Sequence, residues 1–101
     1  MLSDDDRELL ELAAKAAGYK IAWEGGCVTG WMAGGSWWNP LTDDGDALRL
    51  AVTLELDVLC ASVRSAEDDI EITIQAGVDP CAATRRAIVR AAAALEVKEH
   101  R

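Results

Sequence analysis

Pro40, within the run Trp37-Trp38-Asn39-Pro40-Leu41-Thr42-Asp43-Asp44-Gly45-Asp46, decides where a helix can begin. Its ring fixes φ and pushes Asn39 out of the α region, so a helix cannot run through from the tryptophans, which enter a turn instead. Thr42 or Asp43 then offers a side-chain acceptor to the unpaired amides of a first turn. Asp43, Asp44 and Asp46 place negative charge where the helix dipole favours it. Beyond this start Ala47, Leu50, Ala51 and Leu54 form one apolar stripe, widened by Leu48 and Val52, with Arg49, Thr53 and Glu55 outside it. The spacing predicts a deeply buried helix from Thr42 to about Leu56.

The other elements follow from periodicity and punctuation. Leu9, Leu12, Ala13 and Ala16 recur at helical spacing between Ser3 and Ala17, opposite Arg7, Glu11 and Lys15, and Gly18 supplies the stop. Tyr19 to Glu24 and Cys27 to Ala33 read as two strands joined by Gly25-Gly26, since both central positions of a primed hairpin turn need positive φ. Val58 to Arg64 reads as a third strand. In a fourth, Ile70 to Ala76, Ile70, Ile72 and Ile74 alternate with Glu71, Thr73 and Gln75, so one face is apolar and the other polar. Asp79-Pro80 is a good helix start, and the alanine-rich run behind it predicts a last helix to about Leu95, packed through Ile88, Ala91, Ala92 and Leu95. The expectation is an α+β fold, one domain over residues 1–101, with a four-stranded, mainly antiparallel sheet and three helices in the order α-β-β-α-β-β-α. Consecutive strands should form a meander.

Charge narrows the partners. The chain of 101 residues has net charge −8, and residues 1–78 hold 15 acids and 5 bases while residues 79–101 hold 3 acids and 5 bases. An anionic field over most of the surface disfavours direct binding to nucleic acid and favours basic partners. Arg85, Arg86 and Arg90 form the one concentrated basic patch. No stretch approaches the roughly 18 consecutive apolar residues that a membrane span requires, and the acidic N-terminus has the wrong sign for a secretory leader. Cys27, Cys60 and Cys81 lie far apart without a Cys-x-x-Cys pair, and are expected as small buried hydrophobes in a reducing compartment.

The stretch from Trp38 to Val52 resembles the phage ABA sandwich domain, a small family of phage and prophage proteins in which a Trp-Asn-Pro turn followed by Asp-Asp-Gly-Asp-Ala-Leu-Arg-Leu opens the middle helix. Arg7 to Gly18 and Ala82 to Ala93 are similar to the family's first and last helices. The resemblance implies an α/β/α sandwich, residence in the cytoplasm of an infected or lysogenic bacterial cell, and no settled activity. The polar face of Ile70 to Ala76 predicts instead that one face of the sheet stays incompletely covered.

Catalytic chemistry finds little support. The single histidine, His100, sits beside the C-terminal Arg101, and the cysteines lack a base. Gly25, Gly26 and Gly30 precede no Gly-Lys-Ser/Thr, so a phosphate loop is not indicated. Asp43, Asp44 and Asp46 fail the calcium-loop pattern and read as capping charge. Neither cofactor nor metal is expected. The candidate partner contacts are the acidic loop Glu67, Asp68 and Asp69 with Glu71 beside it, the triplet Asp4, Asp5 and Asp6, and Trp37. Trp38 is expected in the core, whereas adjacent Trp37 cannot easily point inward as well and is a candidate anchor. The expectation is a non-enzymatic phage protein that binds a protein or ribonucleoprotein complex with a basic surface. Its sharpest form is an inhibitor of host defence such as an anti-CRISPR. The alternative is a structural or assembly accessory of the phage particle.

Overall fold

The computed structural model describes residues 4–22, 30–32, 36–65, 70–75, 77 and 79–99. Along the chain run α1 (Asp4–Ala17), β1 (Ile21–Ala22), β2 (Gly30–Met32), β3 (Ser36–Trp38), α2 (Asp44–Thr53), β4 (Asp57–Leu59), β5 (Ser62–Ser65), β6 (Ile70–Thr73) and α3 (Pro80–Glu99). The α+β class and the three helices are those expected. The strands differ: among the described residues, six form two three-stranded antiparallel sheets in the orders β1-β2-β3 and β4-β5-β6. Each sheet is a meander.

Two local choices account for the changed strand count. Trp37 and Trp38 form part of β3 and pair with Trp31 and Gly30, so the tryptophans are in the first sheet and not in the turn behind it. The segment from Val58 to Arg64 is a hairpin, with Leu59 opposite Ser62 and Val58 opposite Val63. Cys60 and Ala61 make the turn, and Ala61 takes φ of 56° there although it is not glycine. Neither residue advertises a turn. The Gly25-Gly26 turn lies outside the described residues, as do Trp23 and Cys27.

Helix α2 starts as Pro40 dictates, with Asp43 as the cap. Its carboxylate accepts the Asp46 amide at 2.7 Å. Thr42 is exposed, and its hydroxyl reaches the Asn39 carbonyl only at 3.5 Å. Asn39 is buried: its side chain accepts the Leu41 amide at 3.0 Å and its carbonyl accepts the Asp43 amide at 2.9 Å. The helix stops earlier than Leu56. The Leu56 amide donates to the Ala51 carbonyl and the Glu55 amide to the Val52 carbonyl, which is the Schellman closure, with Glu55 at φ 54° where glycine is usual. Helix α1 ends the same way on Gly18, at φ 76°.

The core is organised around α3. Ala87, Ile88, Val89, Ala91, Ala92 and Ala93 are all buried, which covers well over half of the helix circumference. Their small size lets α1 lie along one side while α2, β5 and β6 pack against others. Leu10, Ala13 and Ala14 from α1, Leu50 and Ala51 from α2, and Val63 from β5 fill the space between. Trp38 is buried as expected and meets Tyr19 edge-on, with ring centroids 5.8 Å apart. The outer face of the second sheet stays open, since Asp57, Leu59, Arg64, Glu71 and Thr73 are exposed while Val63 and Ser65 are buried.

An apolar groove between helix α2 and strand β4

A helix of ten residues standing on α3 can bury one arc of its surface, and in α2 that arc holds Ala47, Leu50 and Ala51. Leu48 and Val52 fall roughly 60–100° beyond Ala51 at about 100° per residue. The widened stripe is therefore not deeply buried. Leu48 is 62% exposed and Val52 69%, and on β4 Val58 is 39% and Leu59 68% exposed. Of these, Leu48 and Val58 line one groove, whereas Leu59 alternates with Val58 to the outer face of the sheet.

Between Leu48 and Val58 lies a groove of about 310 Å³ whose other lining residues include Ala47, Pro80, Cys81, Thr84 and Ile88. Its floor is the start of α3. Both walls are fastened to that floor. Arg85 donates through Nε to the Leu41 carbonyl at 2.9 Å and through Nη1 to Asp44 Oδ1 at 2.6 Å, which fixes the start of α2. Thr84 Oγ1 accepts the Ala61 amide at 2.8 Å and donates to the Pro80 carbonyl at 2.8 Å, which fixes the β4–β5 turn. The groove is preformed by these bonds. Cys60 and Cys81 line it and are exposed free thiols, so the expectation of buried cysteines is corrected for both.

The three aspartates at the start of α2 serve separate ends. Asp43 caps, Asp44 holds Arg85, and Asp46 accepts the Asn39 amide at 2.9 Å and Arg49 Nη2 at 2.7 Å. Its hydrogen bond to Asp46 raises the Arg49 guanidinium further above its ordinary value. Among the described residues no group of three or more His, Cys, Asp or Glu is placed to hold a metal, and no helix is long and apolar enough to cross a membrane.

The residues singled out from sequence are scattered. Glu67, Asp68 and Asp69 lie outside the described residues. Glu71 is exposed on β6 opposite Arg64, and Arg64 in turn stands opposite Asp57, so a cation sits between two acids on the open sheet face. Asp4 is the first residue of α1, and Asp5 is exposed. Asp6 pairs with Arg86 at 2.9 Å, so it is engaged within the chain. Trp37 is the middle residue of β3 and pairs with Trp31. The basic patch on α3 is likewise divided: Arg85 is bound to Leu41 and Asp44, Arg86 to Asp6, and Arg90 is exposed.

Leu48, Val52, Val58, Cys60 and Cys81 were not foreseen as a surface. The available signal was the excess width of the α2 stripe, wider than a short helix can bury. Compared with family models, with curated proteins and with solved structures, the chain gives no match.

Proposed function

We propose that this chain is a non-enzymatic binding protein that docks on a basic protein or ribonucleoprotein complex, in its sharpest form a phage-encoded inhibitor of host defence of the anti-CRISPR kind. The observation that supports the binding role is the apolar groove lined by exposed Leu48 and Val58, on a chain of net charge −8. Apolar anchors supply affinity, and a surrounding anionic field steers a basic surface toward them. The phage context and the defence target come from the resemblance at Trp38 to Val52, and displayed carboxylates are the natural occupants of a groove built for phosphate. Glu67, Asp68, Asp69 and Glu71, with Asp4 and Asp5, are the acids assigned to that contact, and Trp37 is assigned as an anchor.

The test is plaque formation on a bacterial host whose CRISPR system targets the infecting phage. Expression of the chain should raise plating efficiency by orders of magnitude, and reversal of Glu67, Asp68 and Asp69 to lysine should remove most of the gain. Unchanged plating with folded chain present would overturn the inhibitor reading. A particle-assembly role is the second reading, favoured by the outermost position of β4 in its sheet, an edge on which other subunits can pair. Co-purification with capsid or tail proteins, without protection of phage, would decide for it.

A further inference from the structure

We propose that Cys60 and Cys81 form a redox-active thiol pair, at which a small-molecule disulfide such as glutathione disulfide closes a Cys60–Cys81 bond and ties the β4–β5 turn to the start of α3. This site goes beyond the binding role proposed above and does not depend on it.

Both thiols are free and exposed, and both line the same groove. On α3, Cys81 shares a stripe with Thr84 and Ile88, which also line the groove, so it stands one helical turn before Thr84 on the groove side. Thr84 then joins the backbone at the two cysteines. Its hydroxyl accepts the amide of Ala61, the peptide group that leaves Cys60, and donates to the carbonyl of Pro80, the peptide group that enters Cys81, each at 2.8 Å. One oxygen atom therefore connects the peptide unit after Cys60 to the peptide unit before Cys81. With covalent lengths added to these two bonds, the Cα atoms stand at most about 11 Å apart for a fully straightened path, and the bend at a hydroxyl oxygen shortens it. A disulfide takes about 4.4–6.8 Å between Cα atoms. Cys60 lies in the turn between Leu59 and Ser62, outside the paired strands, so closure asks for a shift of that turn and not of the ladder.

The chemistry is two exchanges. One cysteine, as thiolate, attacks glutathione disulfide, forms a mixed disulfide and releases one glutathione. The other cysteine attacks the protein sulfur of the mixed disulfide and releases the second glutathione. Two protein thiols are oxidised, one small disulfide is reduced to two thiols, and the protons of the protein thiols pass to the two glutathione thiolates. The pair stays open in a reducing compartment and closes as the share of oxidised glutathione rises. The bond then fastens the second sheet covalently to α3, where Thr84 already fastens it by hydrogen bonds.

The test equilibrates the intact chain in glutathione buffers of rising disulfide content, traps free thiols by alkylation and maps the peptides by mass spectrometry. A Cys60–Cys81 cross-linked peptide within single chains should be the main product. The thermal midpoint should rise on closure, because a cross-link restricts the unfolded chain. Cys60→Ser should instead retain glutathione on Cys81, since the thiol that would release it is gone. Thr84→Val, its folding checked by circular dichroism, removes the shared hydroxyl and should lower the equilibrium constant for closure by about tenfold, roughly the worth of one hydrogen bond. Stable glutathione adducts on both Cys60 and Cys81 of the unaltered chain, bonding of either to Cys27 or to a second chain, a lower midpoint on closure, or closure indifferent to Thr84→Val would each overturn the pair.

Discussion

Glu55 holds a backbone conformation that suits glycine. At φ 54° and exposed, it closes the Schellman turn of α2 without the glycine that closes α1. Glu55→Gly should raise stability by about 1 kcal/mol, and Gly18→Ala should lower it by a similar amount. Urea unfolding midpoints for the two variants should move in opposite directions. The cap at the other end of α2 makes a paired prediction. Asp43→Ala should cost about 1 kcal/mol, whereas Thr42→Ala should leave the midpoint almost unchanged, because only the Asp43 carboxylate holds an amide of the first turn. Equal losses would return Thr42 to a share of the capping.

At the scale of elements, Arg85 is the bolt between α3 and the start of α2. Its side chain is largely buried and it serves a carbonyl and a carboxylate at once. Arg85→Met keeps the stem and removes both charge-assisted bonds, so a loss of about 1.5–3 kcal/mol is expected in calorimetry. The same variant should loosen the groove. Protection of the Ala47 amide from hydrogen exchange should then fall more than that of Val89. Much of this level was legible beforehand. Pro40 and Gly18 placed boundaries because each restricts or frees the backbone directly. The end of α2 was not legible, because Glu55 has no intrinsic preference for positive φ and adopts it only where Leu56 packs against the core. The hairpin at Cys60 and Ala61 escaped for a similar reason: the turn is held by Thr84, a residue of α3 distant in sequence.

For the whole molecule, α3 is the element on which everything else stands, and its alanines set the distances. Ala91→Leu should cost about 1–3 kcal/mol by overpacking a fully buried position of α3. Leu48 and Val52 make the opposite case. Replacing both with lysine should leave the thermal midpoint nearly unchanged, because their side chains face water in the fold. Such a variant should still lose partner binding. A large drop in stability would mean that the patch is folded inward. Charge belongs to this scale too, and binding that weakens as salt rises would support the anionic surface as the guide of the encounter.

By itself the sequence determined the class, the three helices, a capped start of α2 at Thr42 or Asp43 and the anionic character, because each depends on neighbours a few residues apart or on a simple sum; the structure chose Asp43. The sequence also carried the one-sided strand at Ile70, which appears as a sheet with an open outer face. Tertiary structure alone decided which apolar residues are core and which are surface. Leu48 and Leu50 are equally apolar and two positions apart, yet Leu50 is fully buried while Leu48 faces water. Periodicity puts Leu50 inside the stripe and Leu48 at its edge, but does not say how far around the helix the burial extends. The difference is set by where α3 lies, by Arg85 holding α2 to it and by Thr84 holding the β4–β5 turn beside it, all contacts between residues far apart in the chain.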